Sequence, residues 1–323
     1  MKLHENKTLF NQAVRFTAQE LGILDIYVEK DYWVTFALKI IFSSDVAGYT
    51  IFKGGTALSK CYGIIERFSE DIDLVVIKSP EDSGNQLKNK TKKVSKVLES
   101  YFPEIEVEGI TQKMGMNRKT AHSYAKEFSG DYGQVRDSII IEASWLGYFE
   151  PNENREIKTL IAEMMEKNNQ AQLISEYGLE SPKVSVLMPT RTLCEKIMSL
   201  VRFSYSDDAI SDLKNKVRHI YDIYKMLEVP EIKQFFDSEK FDEMLIKVAQ
   251  DDMDSYKSNN EWLKNHPKEA LIFVDRIKIW NEIEPVYNID FRKLVYGELP
   301  DAKQMTNTLE TVNNRLQNIA WNL

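Results

Sequence analysis

Tyr49-Thr50-Ile51-Phe52-Lys53-Gly54-Gly55-Thr56-Ala57-Leu58-Ser59-Lys60 sets a short β-branched and aromatic run against two glycines and then a helix start, which predicts strand, turn and helix in succession. Downstream, Asp71-Ile72-Asp73-Leu74-Val75-Val76-Ile77 is the strongest strand signal in the chain, and Ser79-Pro80 ends it. The two strands are expected to pair. Side chains at i and i+2 of a strand share a face, so Asp71 and Asp73 converge while Ile72 and Leu74 turn the other way. Two carboxylates that close repel unless a cation lies between them, and hard oxygen donors suit Mg²⁺ or Mn²⁺. An Asp-x-Asp alone is more often a solvated strand end. The glycines supply context, because a turn without side chains lets the backbone approach a phosphate, and a helix N-terminus favours an anion. A lone Gly-Gly, in turn, is more often a plain turn, and neither a Walker loop nor a dinucleotide fingerprint is present.

Outward from this unit, apolar residues recur at helical spacing through 8–21 and 30–43, so two helices are expected to open the chain. Further strands are expected at 104–108, 121–128 and 137–146, with a lysine-rich helix over 86–101 between them. From about residue 190 helical periodicity dominates. These signals predict an α+β fold, a mixed sheet with flanking helices followed by a mostly α-helical C-terminal domain. The domains are expected at 1–185, catalytic, and 186–323, helical and contributing to the active site. Residues 229–323 are read only as helices.

The formal net charge of −8 argues against a general nucleic-acid binder. Charge is uneven, however: residues 86–96 hold five lysines and no acid, and 113–126 add Lys113, Arg118, Lys119, His122 and Lys126. A solvated face and a phosphate-tracking patch both fit that pattern. No run is long and apolar enough for a membrane span and no leader segment is visible, so a cytoplasmic protein without membrane contact is expected. Cys61 and Cys194 are the two cysteines, without metal-ligand spacing, and are expected to be reduced. Glu142 lies inside the apolar run 138–146, where an unpaired charge is costly, and therefore needs a partner. As a strand-edge residue, Glu142 could have a Lys or Arg as that partner.

Taken together, the Gly-Gly-Thr turn and the Asp-x-Asp strand resemble the nucleotidyltransferase superfamily of DNA polymerase beta. The 14 residues between Thr56 and Asp71 are slightly more than the commonest form of that pattern. Phe52-Lys53-Gly54-Gly55-Thr56-Ala57-Leu58-Ser59-Lys60 and Arg67-Phe68-Ser69-Glu70-Asp71-Ile72-Asp73-Leu74 narrow the resemblance to the AbiEii-type nucleotidyltransferase toxins of toxin–antitoxin systems. Val28-Glu29-Lys30-Asp31-Tyr32-Trp33, Thr192-Leu193-Cys194-Glu195-Lys196-Ile197 and Arg218-His219-Ile220-Tyr221-Asp222-Ile223-Tyr224 agree with it, so the resemblance spans about residues 9–228.

The resemblance implies transfer of nucleotides from a nucleoside triphosphate to an RNA acceptor such as the 3′ end of tRNA, with pyrophosphate released, and a possible cognate antitoxin as partner. It also implies that Asp71 and Asp73 hold Mg²⁺ or Mn²⁺ and that Lys53, Gly54, Gly55, Thr56, Arg67, Ser69 and Lys196 bind the nucleotide. Asp222 would be a further essential polar residue, and Glu142 a third acid that ligates metal or deprotonates the attacking hydroxyl. Read as residues alone, Glu195-Lys196 is an ordinary surface ion pair, and Arg218, His219 and Asp222 an ordinary helix network. Two other functions stay open: the same active site with a small-molecule or protein acceptor, and a catalytically inactive binding protein.

Overall fold

The computed structural model describes residues 2–113, 115–133, 135–146, 149–255 and 259–323. The chain divides into two compact units: Met1–Gly63 with Arg67–Leu187, and Ile64–Glu66 with Met188–Leu323.

The first unit begins with α1 (Lys7–Leu21) and α2 (Asp25–Phe42). Helix α2 starts five residues before the expected 30, because Ile26, Tyr27 and Val28 are buried as fully as the residues after them. A helix buried on nearly all sides shows no amphipathic period to mark its start. Then come β1 (Thr50–Lys53), α3 (Gly54–Lys60), β2 (Ile72–Val76) and α4 (Gly84–Lys96). They are followed by β3 (Glu104–Ile105), β4 (Asn117–His122), β5 (Ile139–Ser144) and β6 (Asn152–Glu156). Two helices, α5 (Leu160–Lys167) and α6 (Ala171–Glu176), precede β7 (Lys183–Leu187).

The seven strands form one mixed sheet in the order β3-β4-β5-β2-β1-β7-β6. As expected, β1 pairs with β2, antiparallel, with Lys53 opposite Asp73 and Phe52 opposite Leu74. Strand β2 runs parallel to β5, which brings Asp73 level with Glu142. Two strand expectations need correction. The strand placed at 121–128 is Asn117–His122, with Lys119 opposite Glu142; the strand placed at 104–108 keeps only Glu104–Ile105. Strand β6 was not anticipated, since its sequence Asn-Glu-Asn-Arg-Glu is polar throughout and mostly exposed at the edge of the sheet.

Alternation sorts the sheet into two faces. Phe52, Ile72, Leu74, Val76, Ile139, Ile141, Ala143, Val184 and Val186 point into the main core. There they meet Phe10 and Val14 of α1, Val34 and Leu38 of α2, Val94 of α4 and Ile161 of α5. Ile51, Val75 and Leu187 form a small separate cluster. Asp73 lies between Leu74 and Ile72 in sequence, and so belongs with Val75 on the face away from the main core.

In the second unit α7 (Pro189–Phe203), α8 (Ala209–Lys214), α9 (Val217–Leu227), α10 (Pro230–Phe236) and α11 (Glu239–Ser255) are followed by α12 (Leu271–Val274), α13 (Arg276–Ile289) and α14 (Ala302–Leu316). Each longer helix buries an apolar stripe, such as Leu193, Ile197 and Leu200 of α7 or Met305, Leu309, Val312 and Leu316 of α14. The short segment Ile64–Glu66 belongs to this unit through its backbone. The carbonyl of Glu66 accepts hydrogen bonds from the amides of Tyr296 (3.0 Å) and Gly297 (3.2 Å), and its carboxylate pairs with Lys225 at 2.8 Å.

Candidate active site

The turn between β1 and α3 has no side chains where other side chains need the room. Gly54 has φ +84°, in the left-handed region that other residues avoid, and a Cβ there would lie 2.4 Å from Oδ2 of Asp73. A Cβ on Gly55 would meet the Arg67 guanidinium at 2.8 Å and Ser69 Oγ at 3.0 Å. The two glycines are thus what allow an Asp73 carboxylate on one side of the turn and Arg67 and Ser69 on the other. The hydroxyls of Thr56 and Ser69 hydrogen-bond at 3.0 Å, closing the link between α3 and the approach to β2. Arg67 is buried and donates to the Phe68 carbonyl at 3.1 Å.

Across four strands the register sets Lys53, Asp73, Glu142 and Lys119 in one row. Burial, together with the charges of Asp71 and Glu142, pushes the Asp73 carboxyl up to about 7 despite Lys53 and Lys119 nearby. Glu142 is also desolvated. The Lys119 charge outweighs that: Lys119 donates to it at 3.0 Å and Asn117 at 2.9 Å, and together they hold its carboxyl below the usual carboxylate range. Glu142 therefore has the basic partner that an acid in an apolar strand requires, and the same register aligns it with Asp73. Asp71 precedes the first residue of β2, is half-buried, and faces Arg136 at 3.5 Å.

Among the described residues no group of three or more His, Cys, Asp and Glu side chains is gathered as a ready metal cage. In donor type the residues still fit a hard divalent cation: Asp71 and Asp73 offer carboxylate oxygens only, and the crowding that raises Asp73 is relieved by added positive charge.

Lys196 and Asp222 lie in the helical unit, on α7 and α9. They form a buried ion pair with Nζ and Oδ2 2.7 Å apart, so Lys196 has Asp222 as a partner rather than a surface pairing with Glu195. The basic segment 113–126 is largely neutralised: Lys113 pairs with Glu104 at 2.7 Å, Arg118 with Glu104 at 3.3 Å and Lys126 with Asp137 at 2.8 Å. His122 is buried between the Phe102 carbonyl and Thr120. On α4, by contrast, Lys88, Lys92, Lys93 and Lys96 are exposed. Cys61 and Cys194 are free thiols, and burial pushes both up, Cys61 to about 12.

Sequence reasoning missed Asn117, Lys119 and Arg136. The first two share the face of Glu142 only once the register of β4 is known, and Arg136 lies in a loop without periodicity. It also missed the buried Lys30–Glu70 ion pair, although both residues stand inside quoted motifs. The signal was a run of three charged residues, Glu29-Lys30-Asp31, within a buried helix.

The sequence profile of the nucleotidyl transferase AbiEii toxins of type IV toxin–antitoxin systems matches residues 38–314. Among solved structures the chain is similar to MenT4, a nucleotidyltransferase toxin from Mycobacterium tuberculosis H37Rv, at 16% identity and a TM-score of 0.49, over 93% of this chain and 98% of that one. No curated protein matches it in sequence.

Proposed function

We propose an RNA-directed, metal-dependent reaction for this chain, which belongs to the family of nucleotidyl transferase AbiEii toxins of type IV toxin–antitoxin systems and is a nucleotidyltransferase. The acceptor hydroxyl, at an RNA 3′ end such as that of tRNA, attacks the α-phosphorus of a nucleoside triphosphate. A new P–O bond forms, the bond to the β-phosphate oxygen breaks, pyrophosphate leaves and the hydroxyl proton is lost. The observation that supports this reading best is the Asp73 carboxylate seated against Gly54 of the turn, at a distance that no side chain at 54 would permit.

Asp71 and Asp73 would hold Mg²⁺ or Mn²⁺, which when bound supplies Lewis-acid stabilisation of the phosphoryl oxygens and lowers the pKa of the attacking hydroxyl. The turn of Lys53, Gly54, Gly55 and Thr56, with Arg67 and Ser69 behind it, receives the triphosphate. Glu142, kept ionised by Lys119 and Asn117, is the third acid of the family resemblance; those two contacts weaken it as a proton acceptor and leave its carboxylate oxygens in the charged form that a metal ion takes. Lys196 carries over from the family resemblance as a nucleotide-contacting lysine with Asp222 as its polar support. A cognate antitoxin and a cytoplasmic location follow from the same family setting. No helix among the described residues is long and apolar enough to cross a membrane.

Incubation with each labelled nucleoside triphosphate, total cellular RNA and Mg²⁺, followed by sequencing of RNA 3′ ends, tests the reading. Added 3′ nucleotides that disappear with chelator are expected. Label found only on protein or small molecules would remove the RNA acceptor, and label unaffected by chelation would remove the metal. Lys196→Ala, with Lys196→Met/Asp222→Asn as a control that removes both charges of the pair together, should raise KM for the triphosphate more than KM for RNA.

A further inference from the structure

Asp71 and Asp73 are flanked differently on their two sides. Strand β1 and its glycine turn border β2 on one side, and the Asp73 carboxylate rests against that turn. Strand β5 borders β2 on the other, and the loop leading into it carries Arg136, whose Nη1 lies 3.5 Å from Oδ1 of Asp71.

The main chain of Arg136 is held from both ends by a single buried ion pair. Its amide donates to Oε1 of Glu70 at 2.9 Å, and its carbonyl accepts from Nζ of Lys30. Lys30 and Glu70 also pair with each other, and their side chains are 0% and 3% exposed. Removing two charges from water is expensive, and a buried pair adds little net stability over apolar packing of the same shape. What this pair does is fix position: Glu70 is the residue next to Asp71, so the same clamp ties the start of the carboxylate strand to the loop that presents Arg136.

The guanidinium itself is spent on almost nothing. Its contact with Asp71 is single and long rather than bidentate, its side chain is 39% exposed, and its other N–H donors meet no protein acceptor among the described residues. In a chain of net charge −8, contacts to a polyanion must come from a few local cations of this kind.

We propose that Arg136 binds a backbone phosphate of the acceptor RNA on the flank of the carboxylates opposite the glycine turn, and that the Lys30–Glu70 pair is the positioning brace that holds it there. This rests on the reading of the acceptor as RNA. A planar guanidinium fits two phosphate oxygens at once, and its place beyond Asp71 puts it on the side from which the acceptor, rather than the triphosphate, approaches.

Binding of a fluorescently labelled single-stranded RNA with a free 3′ hydroxyl is measured without nucleotide, across about 50 to 200 mM salt, and binding of labelled triphosphate is measured separately. Arg136→Gln should weaken RNA binding about tenfold at low salt and reduce the slope of log Kd against log salt by about 0.7, the share of one phosphate on a single strand. Triphosphate binding should not change. Arg136→Lys should keep the slope. The double variant Lys30→Met/Glu70→Gln should weaken RNA binding in the wild-type background and add nothing on top of Arg136→Gln, a non-additivity that general loss of structure would not produce. An unchanged slope in Arg136→Gln, or a loss that falls on the triphosphate instead, would overturn the proposal while leaving the RNA acceptor standing. Wild-type protein that neither binds nor extends RNA would remove the acceptor and this inference together.

Discussion

Two neighbouring rungs of the same four strands carry opposite kinds of residue. One sets Lys53, Asp73, Glu142 and Lys119 side by side; the next, a single residue along, sets Phe52, Leu74, Ala143 and Arg118. Phe52, Leu74 and Ala143 join the main core beneath the helices, whereas the first rung gathers charge that raises Asp73 and fixes Glu142. The difference lies only in the two-residue period of a strand. A slip of one residue would bury the acids and expose the core, so the core rung is what locks the charged rung into register.

The sharpest break of that contrast is Asp73→Asn. It should lower nucleotide transfer by about 1,000-fold or more, equivalent to about 4 kcal/mol of barrier. Thermal melting at pH 8 should not fall, because the exchange removes a charge crowded by Asp71 and Glu142. Undiminished transfer would end the assignment of the charged rung to chemistry. Next is Leu74→Ala, one residue away, which should remove about 3 kcal/mol of folding stability in urea titrations while leaving transfer per folded molecule within about threefold. Comparable damage to rate and stability would show that the two rungs are not separable.

Gly54→Ala should act on both sides at once, since its Cβ meets Asp73 and its φ is unfavourable. A stability loss of about 2 kcal/mol with a ten- to hundredfold drop in transfer is expected, and a loss of stability alone would separate the turn from the carboxylate. The smallest effect is on the core side. Burial holds the His122 imidazole below its ordinary value, between the Phe102 carbonyl and Thr120. The unfolded chain therefore binds the proton more readily, and stability is lost as pH falls below about 6.5. His122→Gln should flatten that loss in urea midpoints taken at pH 7 and pH 5, and an equally steep loss in the variant would show that other groups set the acid limb.

Much of the fold near the site was legible because it is local. The glycine turn, the strand after it and the pairing of the two depend on residues within one stretch of chain, and β-branched runs bounded by Gly and Pro mark their own ends. The family resemblance rested on the same contiguous motifs. Lys119 could not be connected to Glu142 by pattern, because the strand that carries it was expected four residues further on and only the observed register brings them together. Lys30 was hidden for another reason: a lysine inside a buried helix contradicts patterning and is explained by Glu70, 40 residues away, and by the Arg136 carbonyl, more distant still. Polar edge strands such as β6 leave no hydrophobic trace at all.

The excursion of Ile64–Glu66 has a consequence for how this gene can be cut. Those three residues lie between the turn helix and the carboxylate strand, yet they dock on Tyr296, Gly297 and Lys225, far downstream along the chain. The first unit is therefore not a cassette that recombination could lift out at one crossover, since a fragment ending at Leu187 would leave the Glu66 carbonyl without its two amide donors. Shuffling within the family should succeed with whole-length exchange and fail with single-junction chimeras at the domain boundary.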